Sequence, residues 1–420
     1  MHILFLTHYF PPEVNAPASR TYENARRWVR DGHHVTVITC APNHPKGVIY
    51  PGYRNRWCQQ EDLDGIRVLR VKTYLSANKG FAKRIANYLS YMLSSTVFSC
   101  LVRDIDVVVS TSPQFFCGLA GYFVSRARSA PWVVEIRDLW PESIIAVGAI
   151  RNRTVIDLLE GLETFMYRRA DHVVAVTDAF KRHIAGRGVG RDRISVIKNG
   201  ADLERFTSGP RENSFRREHG LEGKFVVSYV GTHGMAHGLN TIFETAEAMR
   251  SCEDIVFLLV GDGAEREPLL ARKAELGLTN VLMLPQQPKE RMPEIINASD
   301  ACMVLLKKTD LFKTVIPSKI FEAMAMERPI ILGVEGESRE IVEEGCCGLC
   351  IEPENAAELA DAIRRLRDDG KLADELGQNG RRFVSAVFNR EVLARRYLET
   401  LSSMVPLPAS TIGVIGKELP

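Results

Sequence analysis

A lysine and a glutamate stand three residues apart in the stretch 316–325, and this spacing predicts that they share one helix face. Pro317 suits the first position of that helix, and Ser318 beside it leaves backbone N–H groups of the kind that bind phosphate. The ammonium of Lys319 and the carboxylate of Glu322 are suited to a phosphate and a ribose. A surface stripe on an amphipathic helix is the alternative, and this segment alone leaves both open.

A glycine-rich loop follows a strand-like stretch in the second half of the chain. Glycines let the backbone approach a phosphate closely, and the start of the next helix favours an anion. The spacing is not that of a GxGxxG motif, and a glycine-rich loop alone is a weak signal. A solvent-facing histidine is the alternative to a ligand role for the second histidine of the loop. The candidate residues are Gly231, Thr232, His233, Gly234, His237 and Gly238.

Two further turns follow strand-like runs, one at Gly261 and one at Gln287. Their backbone groups are suited to hold a flat base, and simple connecting loops are the alternative.

The first half of the chain offers polar residues after two strands. Asn15 and Arg20 lie in a long loop after the first strand, at the edge where parallel sheets bind ligands. Arg137 and Asp138 end a buried strand, and Glu142 follows shortly after. These residues predict a substrate loop and a second group of site residues. An ordinary connection and a structural ion pair are the alternatives.

We predict no metal site. One Asp-x-Asp string, at 62–64, lies in a polar turn, and the other, at 104–106, lies at the start of a strand. The Cys-Cys-Gly-Leu-Cys string at 346–350 resembles half of a metal site, but no second Cys-x-x-Cys or nearby histidine pair completes it. Structural cysteines are therefore favoured there. The nine cysteines are scattered, unlike a disulfide framework.

The elements that position these residues alternate between strands and helices throughout the 420 residues. This pattern predicts doubly wound α/β domains with parallel sheets, and the length favours two of them. We place the domains at 1–198 and 199–388, followed by a helix at 389–405 that packs back toward the first domain and a loose tail at 406–420. A net charge of +2 gives no nucleic-acid signal.

One helix, near 79–102, has a basic start and a long uncharged run of 18 residues. Lys79, Lys83 and Arg84 precede this run, which includes Asn87 and several serines and tyrosines. The composition favours a helix lying on an anionic membrane over one that spans it. A core helix with a basic end is the alternative. The chain starts directly with a strand-like stretch and not with a signal-peptide pattern, so we expect a cytoplasmic protein.

Three segments together resemble a known family: Arg-Asp-Leu-Trp-Pro-Glu-Ser at 137–143, Gly-Thr-His-Gly-Met-Ala-His-Gly at 231–238, and Pro-Ser-Lys-Ile-Phe-Glu at 317–322. They are similar to the retaining glycosyltransferases of family 4, and the similarity runs along nearly the whole chain. It implies the GT-B architecture, two Rossmann-like domains facing each other across a cleft. The bacterial subgroup that acts in O-antigen, colanic acid and capsule assembly, including transferases of N-acetyl-L-fucosamine type sugars, is the most similar.

The resemblance also implies roles for residues of the second domain, which binds the nucleotide sugar in this family. Glu322 matches the carboxylate that holds the ribose. The family's other carboxylate should stand eight residues earlier, where this chain has Thr314. The family's basic pair on the diphosphate corresponds to Thr232 and His237, so Lys319 is the natural replacement cation.

In the first domain, the resemblance implies acceptor binding. Arg20 is a second replacement cation for the diphosphate. Arg137 and Asp138 occupy the region where many members have a His-Asp pair, and Asp138 is the best side-chain candidate for a general base. The departures from the family pattern lie among the residues implied to contact the donor sugar and its diphosphate.

The activity predicted is therefore transfer of a sugar from a UDP-sugar to a polyprenyl-diphosphate-linked saccharide, without metal or cofactor, at the inner face of the cytoplasmic membrane. Two alternatives stay open. One is a nucleotide-sugar 2-epimerase of the same architecture, which would need no lipid acceptor. The other is a non-catalytic nucleotide-sugar-binding subunit, which the threonine at 314 motivates.

Overall fold

Apolar runs rich in valine, isoleucine and leucine build two sheets, each in its own unit of the chain. The computed structural model describes residues 1–44, 47–76, 81–112, 114–146 and 150–405. One unit comprises Met1–Ile197 with the described residues from Ala394 onward, and the other comprises Lys198–Leu393.

The sheet of the first unit has the strand order β3-β4-β2-β1-β5-β6-β7-β8. Neighbouring strands are parallel except for β3, which is antiparallel to β4. The order reverses beside β1, so the ends of β1 and β5 flank the point where doubly wound sheets bind ligands. The strands are β1 (His2–Leu6), β2 (His34–Cys40), β3 (Cys58–Leu63), β4 (Ile66–Val71), β5 (Val107–Thr111), β6 (Trp132–Ile136), β7 (His172–Ala175) and β8 (Ile194–Val196).

The first Asp-x-Asp string lies at the turn of the edge hairpin β3–β4. Asp64 and Gly65 both have positive φ, 54° and 79°, as a tight hairpin turn requires. Asp62 Oδ1 accepts a hydrogen bond from the Gly65 N–H at 3.1 Å, so it stabilises that turn. In the second string, Asp106 accepts from the His2 N–H at 2.6 Å, at the start of β5.

Helices cover the first sheet, and the predicted basic helix is one of them. It spans Phe81–Phe98 and continues as a 3-10 turn at Ser99–Leu101, while Lys79 lies outside the described residues. Its buried Tyr91 donates a hydrogen bond to the Ile38 carbonyl at 2.8 Å, which fixes one face against the sheet. The helices are α1 (Ala16–Arg30), α2 (Phe81–Phe98), α3 (Phe115–Arg128), α4 (Glu142–Ala146), α5 (Arg153–Arg169) and α6 (Asp178–Gly186).

The sheet of the second unit has the order β11-β10-β9-β12-β13-β14, and all its neighbours are parallel. Its order reverses between β9 and β12. The strands are β9 (Phe225–Val230), β10 (Ile255–Val260), β11 (Val281–Leu284), β12 (Ala301–Leu305), β13 (Ile330–Gly333) and β14 (Gly348–Cys350). The helices are α7 (Ser214–His219), α8 (Asn240–Ala248), α9 (Arg266–Leu276), α10 (Met292–Asn297), α11 (Lys319–Ala325), α12 (Glu337–Glu344), α13 (Ala356–Asp368) and α14 (Gly370–Val387).

The last helix, α15 (Arg390–Ser402), begins in the second unit and packs within the first from Ala394 onward. Trp28 of α1 donates from Nε1 to the Ala394 carbonyl at 3.0 Å. The rings of Trp28 and Tyr397 meet edge to face, with centroids 5.3 Å apart. The predicted tail at 406–420 lies outside the described residues. Among the helices described, none has the length and apolarity needed to cross a bilayer.

Candidate functional site

In the second unit, the glycine-rich loop after β9 lies beside the loop after β10. The Gly231 N–H donates to the Val260 carbonyl, and the His233 N–H donates to the Asp262 carbonyl, both at 2.9 Å. The Glu265 N–H returns a bond to the His233 carbonyl, also at 2.9 Å. These bonds fix the path of the loop at the carboxyl end of the sheet, where the strand order reverses.

Two glycines are required by the closeness of this packing. Gly261 has φ +156°, and a Cβ there would lie 1.9 Å from the Gly231 carbonyl oxygen. Gly231 has φ +145°, and its Cβ would lie 2.9 Å from Lys319 Nζ. Glycine at these positions therefore lets the two loops and the amine of α11 meet.

Lys319 places its amine inside this corner. Its Nζ is buried and lies 3.7 Å from the centroid of the Tyr229 ring, a cation–π contact. No hydrogen-bond acceptor for this Nζ is found among the described residues. Burial lowers the pKa of Lys319 to about 7, although the Glu322 carboxylate acts in the opposite direction.

Two histidines adjoin the same tyrosine. Their ring centroids lie 6.1 Å (His233) and 5.9 Å (His237) from that of Tyr229. Both ring nitrogens of His233 and Nδ1 of His237 are buried, and none has a hydrogen-bond partner in the part of the chain described. Burial, with Coulombic repulsion from Lys319, lowers both pKa values to about 4. Buried nitrogens without partners indicate a site for an anion that accepts hydrogen bonds.

Helix α11 begins later than predicted. It starts at Lys319 with Ser318 before it, so Pro317 lies two residues ahead of the first helical position and the prediction for Pro317 is wrong. The Pro317 carbonyl instead accepts from the Ile320 N–H at 3.1 Å, and Ser318 already has helical φ and ψ. The half-buried Glu322 follows one turn after Lys319.

The other predicted residues of the second unit make local contacts. Thr314 ends the 3-10 turn Asp310–Thr314, where its Oγ1 donates to the Leu311 carbonyl at 2.7 Å. Gln287 donates to the Pro285 carbonyl at 3.2 Å, and the Thr232 carbonyl accepts from the Tyr229 hydroxyl at 2.8 Å. Gly234 and Gly238 flank the 3-10 turn Met235–His237. Tyr229 is the residue that sequence reasoning missed, since an aromatic residue in a strand reads as ordinary core.

In the first unit, Arg20 belongs to the interior. Its Nε lies 2.9 Å from Glu135 Oε1, and a terminal nitrogen donates to the Ile197 carbonyl at 2.8 Å. Burial raises the pKa of Glu135, but Arg20 and Arg137 outweigh this and hold it below its usual value. The structure thus places Arg20 in a buried ion pair between α1 and β6. The prediction was that Arg20 is a polar side chain of a substrate loop.

Arg137 and Asp138 stand at the end of β6, as predicted, with separate partners. Arg137 donates to the Ala16 carbonyl at 3.1 Å, and Asp138 Oδ2 accepts from the Ser143 hydroxyl at 3.0 Å. Burial raises the pKa of Asp138. Asn15 is the N-cap of α1, since its Oδ1 accepts from the Ala18 N–H at 2.9 Å.

Glu142 belongs to a charged network that the sequence did not reveal. It lies 3.5 Å from His183 and 3.6 Å from Arg187. Both of these also approach the fully buried Glu163, which accepts from the Tyr167 hydroxyl at 2.7 Å. Glu163 raises the pKa of His183.

A second cluster that the predictions missed lies where β1 and β2 end. The ring of His8 is 5.0 Å from Tyr9, 5.9 Å from Tyr88 and 5.2 Å from Tyr91, measured between centroids. Tyr9 also contacts His44 at 5.2 Å. Burial lowers the pKa of His8 to about 3, so this ring is neutral at physiological pH. A His-Tyr pair directly after the first strand was the available signal.

A metal site requires several converging ligands. Within the described ranges, no group of three or more histidine, cysteine, aspartate or glutamate side chains is placed to hold a metal ion. Independence from metal remains a prediction.

Comparison with known proteins places this geometry in a family. Residues 15–200 match the family described as a glycosyl transferase 4-like domain, and residues 211–383 match glycosyl transferases group 1. The chain belongs to the family-4-like glycosyltransferases. This glycosyltransferase is 22% identical over 413 residues to the putative colanic acid biosynthesis glycosyl transferase WcaI of Escherichia coli (strain K12), with 96% of this chain and 100% of that protein covered.

Solved structures agree with the fold. Sucrose-phosphate synthase from Thermosynechococcus elongatus matches with a TM-score of 0.75 at 19% identity, covering 96% of this chain and 98% of that one. HepE of Anabaena in complex with UDP-glucose matches with a TM-score of 0.70 at 19% identity, covering 96% and 100%. The predicted GT-B fold class, two doubly wound α/β domains, is confirmed.

Proposed function

We propose that this glycosyltransferase moves a hexose-type sugar from a UDP-sugar to a lipid-linked saccharide, with retention at the anomeric carbon and without a metal. The observation that carries the proposal is a group of buried nitrogens around Tyr229, in His233, His237 and Lys319, for which no hydrogen-bond partner is found in the described part of the chain. A nucleoside diphosphate is the anion that fits a glycosyltransferase. The binding of UDP-glucose by a protein of the same fold supports UDP as the nucleotide.

In the proposed complex, Glu322 holds the ribose and Lys319 the diphosphate. Backbone N–H groups near Gly231–Gly234 and Ser318 add hydrogen bonds to the phosphates. Negative charge develops on the diphosphate as it leaves, so preorganised donors at this point lower the barrier to transfer. With threonine at 314, the contact to the sugar hydroxyls made by the family's first carboxylate comes from another group.

Retention with attack on the leaving group's own face lets the departing phosphate oxygen take the acceptor's proton. Asp138 is the side chain we assign as the candidate to assist. Its pKa is raised by burial, which brings a carboxyl group closer to the range useful for proton transfer at neutral pH. Asn15 and Glu142 are proposed on the acceptor side of the same unit.

The proposed acceptor is a polyprenyl-diphosphate-linked saccharide of bacterial surface polysaccharide assembly, in line with the colanic acid relative. Its lipid would bring the enzyme to the inner face of the cytoplasmic membrane. Helix α2 and the following turn carry an exposed apolar stripe at four-residue spacing, formed by Leu89, Leu93, Val97 and Leu101. Helix α2 has no acidic residue and bears Lys83 and Arg84 near its start, which suits anionic headgroups.

A thermal-shift screen of UDP, GDP, ADP and their sugars tests the donor assignment. A nucleotide at 100 times its dissociation constant should stabilise the fold by about 2.7 kcal/mol. We expect UDP and its sugars to give the largest rise in melting temperature. A larger rise with GDP would contradict the choice of UDP.

A further inference from the structure

In the proposed diphosphate site, the amine of Lys319 has no hydrogen-bond acceptor among the residues that the structure describes. We propose that binding of the donor's diphosphate is coupled to the uptake of one proton at Lys319. The amine that holds the diphosphate thus becomes charged as the nucleotide binds. This inference rests on the proposed function and adds to it a pH dependence of nucleotide affinity.

Burial favours the neutral form of the Lys319 amine and outweighs the attraction of the Tyr229 ring face for a cation. Nζ lies 3.7 Å from the centroid of the Tyr229 ring, and a Cβ on Gly231 would be 2.9 Å from it. Of the groups that interact with it electrostatically, Glu322 on its own helix favours the charged form, as does Cys302 on β12 if ionised. Without an acceptor for its protons, a buried ammonium is costly. Its pKa of about 7 expresses that cost.

The neighbouring histidines do not replace this charge. His233 also faces Asp262 and Arg266, and the arginine helps to lower its pKa to about 4. His237 reaches about the same value through burial and Lys319, opposed by a hydrogen bond that its ring donates to the Leu305 backbone. Both rings are therefore neutral between pH 7 and 9 in the free enzyme, and each offers one N–H donor and no charge. Loss of the proton uptake in Lys319→Arg would assign it to Lys319 and not to these rings.

The sign of the effect follows from linkage. A bound diphosphate favours the ammonium form, so the complex keeps the Lys319 proton to a higher pH than the free enzyme does. Because the complex holds more protons above pH 7, nucleotide affinity falls as the pH rises. Because the pKa of Lys319 in the free enzyme is about 7, little of the ammonium form remains at pH 9, and the apparent affinity should fall by at least about tenfold between pH 7 and pH 9. The terminal phosphate of UDP is mostly ionised over this range.

Isothermal titration of the full chain with UDP tests the coupling. At pH 8 the binding heat in HEPES and in Tris should differ by the ionisation heat of about one proton taken up. The dissociation constant should rise by at least about tenfold from pH 7 to pH 9. Lys319→Arg, whose guanidinium stays charged, should bind UDP with little pH dependence and no proton uptake.

Equal heats in the two buffers, with UDP bound, would overturn the coupling and leave the proposed function standing. Absence of UDP binding at every pH would overturn both. If Lys319→Arg does not fold, the wild-type buffer comparison decides alone.

Discussion

The amine of Lys319 lies in the interior of the second unit. Lys319 lies on a short helix whose other residues are largely core, including Ile320, Phe321 and Met324. A lysine on a surface stripe would leave its amine in water. Here Nζ is buried against an aromatic ring, beside buried ring nitrogens of two histidines that have no hydrogen-bond partner among the described residues. The surface-stripe interpretation therefore does not describe this residue.

Replacing Lys319 by alanine should lower turnover by about 100- to 1,000-fold, the cost typical of losing one preorganised donor to a developing negative charge. The matched control is Lys371→Ala, which removes an exposed lysine of α14 in the same unit. Initial rates with a UDP-sugar and a lipid-linked acceptor provide the measurement. A Lys319→Ala enzyme within twofold of wild type would refute the assignment.

Residue spacing revealed some of these positions and concealed others. Lys319, His233 and His237 were predictable because each follows a strand at its carboxyl end. Arg20 was predicted at a loop surface, yet its partner Glu135 stands 115 residues away in the chain. No local pattern links two such residues. Tyr229 gave no signal because its contact with Lys319 joins residues 90 positions apart in the chain.

At the level of elements, the Arg20–Glu135 pair joins helix α1 to strand β6. Arg20→Met would leave the Glu135 carboxylate buried without its main partner, and we expect the free energy of unfolding to fall by about 3–5 kcal/mol. Arg30→Met, at the exposed end of the same helix, should change it by about 0.5 kcal/mol or less. Urea unfolding at pH 7 measures both.

The pH dependence of this effect has a definite sign. The pKa of Glu135 is lower in the folded protein than its usual value, so its contribution to stability is present above that usual value. It is lost as the pH falls through the lowered folded pKa. The difference between wild type and Arg20→Met should therefore shrink in acid. A difference that grows in acid would mean that Arg20 acts through other contacts.

The exposed face of α2 is the element that we expect to meet the membrane. Leu93 and Val97 are 62% and 63% exposed, whereas the opposite face is fixed by the buried Tyr91. Leu93→Ser with Val97→Ser should weaken binding to phosphatidylglycerol vesicles by more than about tenfold, given about 1.5–3 kcal/mol for each side chain when fully buried. Leu158→Ser, on α5, removes an equally exposed leucine as control. Equal cosedimentation of all three proteins would contradict the membrane face.

The alternation of elements was readable from the sequence, and two details were not. The edge strand β3 is polar, and it exists because it pairs with β4 through the turn at Asp64-Gly65. An Asp-Gly pair between two short runs was the missed hairpin signal. Helix α11 starts later than predicted because Pro317 lies before it. The Pro317 carbonyl accepts the hydrogen bond that closes the first turn.

For the molecule as a whole, the two matched domains define a glycosyltransferase, and the site residues define what is unusual about this one. By the family resemblance, Thr314, Thr232 and His237 stand at positions where charged groups are expected. The whole-chain similarity carries the reaction type. The donor sugar, the acceptor and the stereochemistry depend on side chains from distant loops, which sequence spacing does not bring together.

Transfer itself tests the proposed activity. The enzyme is incubated with UDP-sugars labelled in the sugar, in the presence and absence of polyprenyl-diphosphate-linked saccharides. We expect label to move into the lipid fraction with release of UDP and with the donor's anomeric configuration kept. Conversion of the donor to an epimer without an acceptor, or no transfer from any UDP-sugar although UDP binds, would contradict the proposed activity.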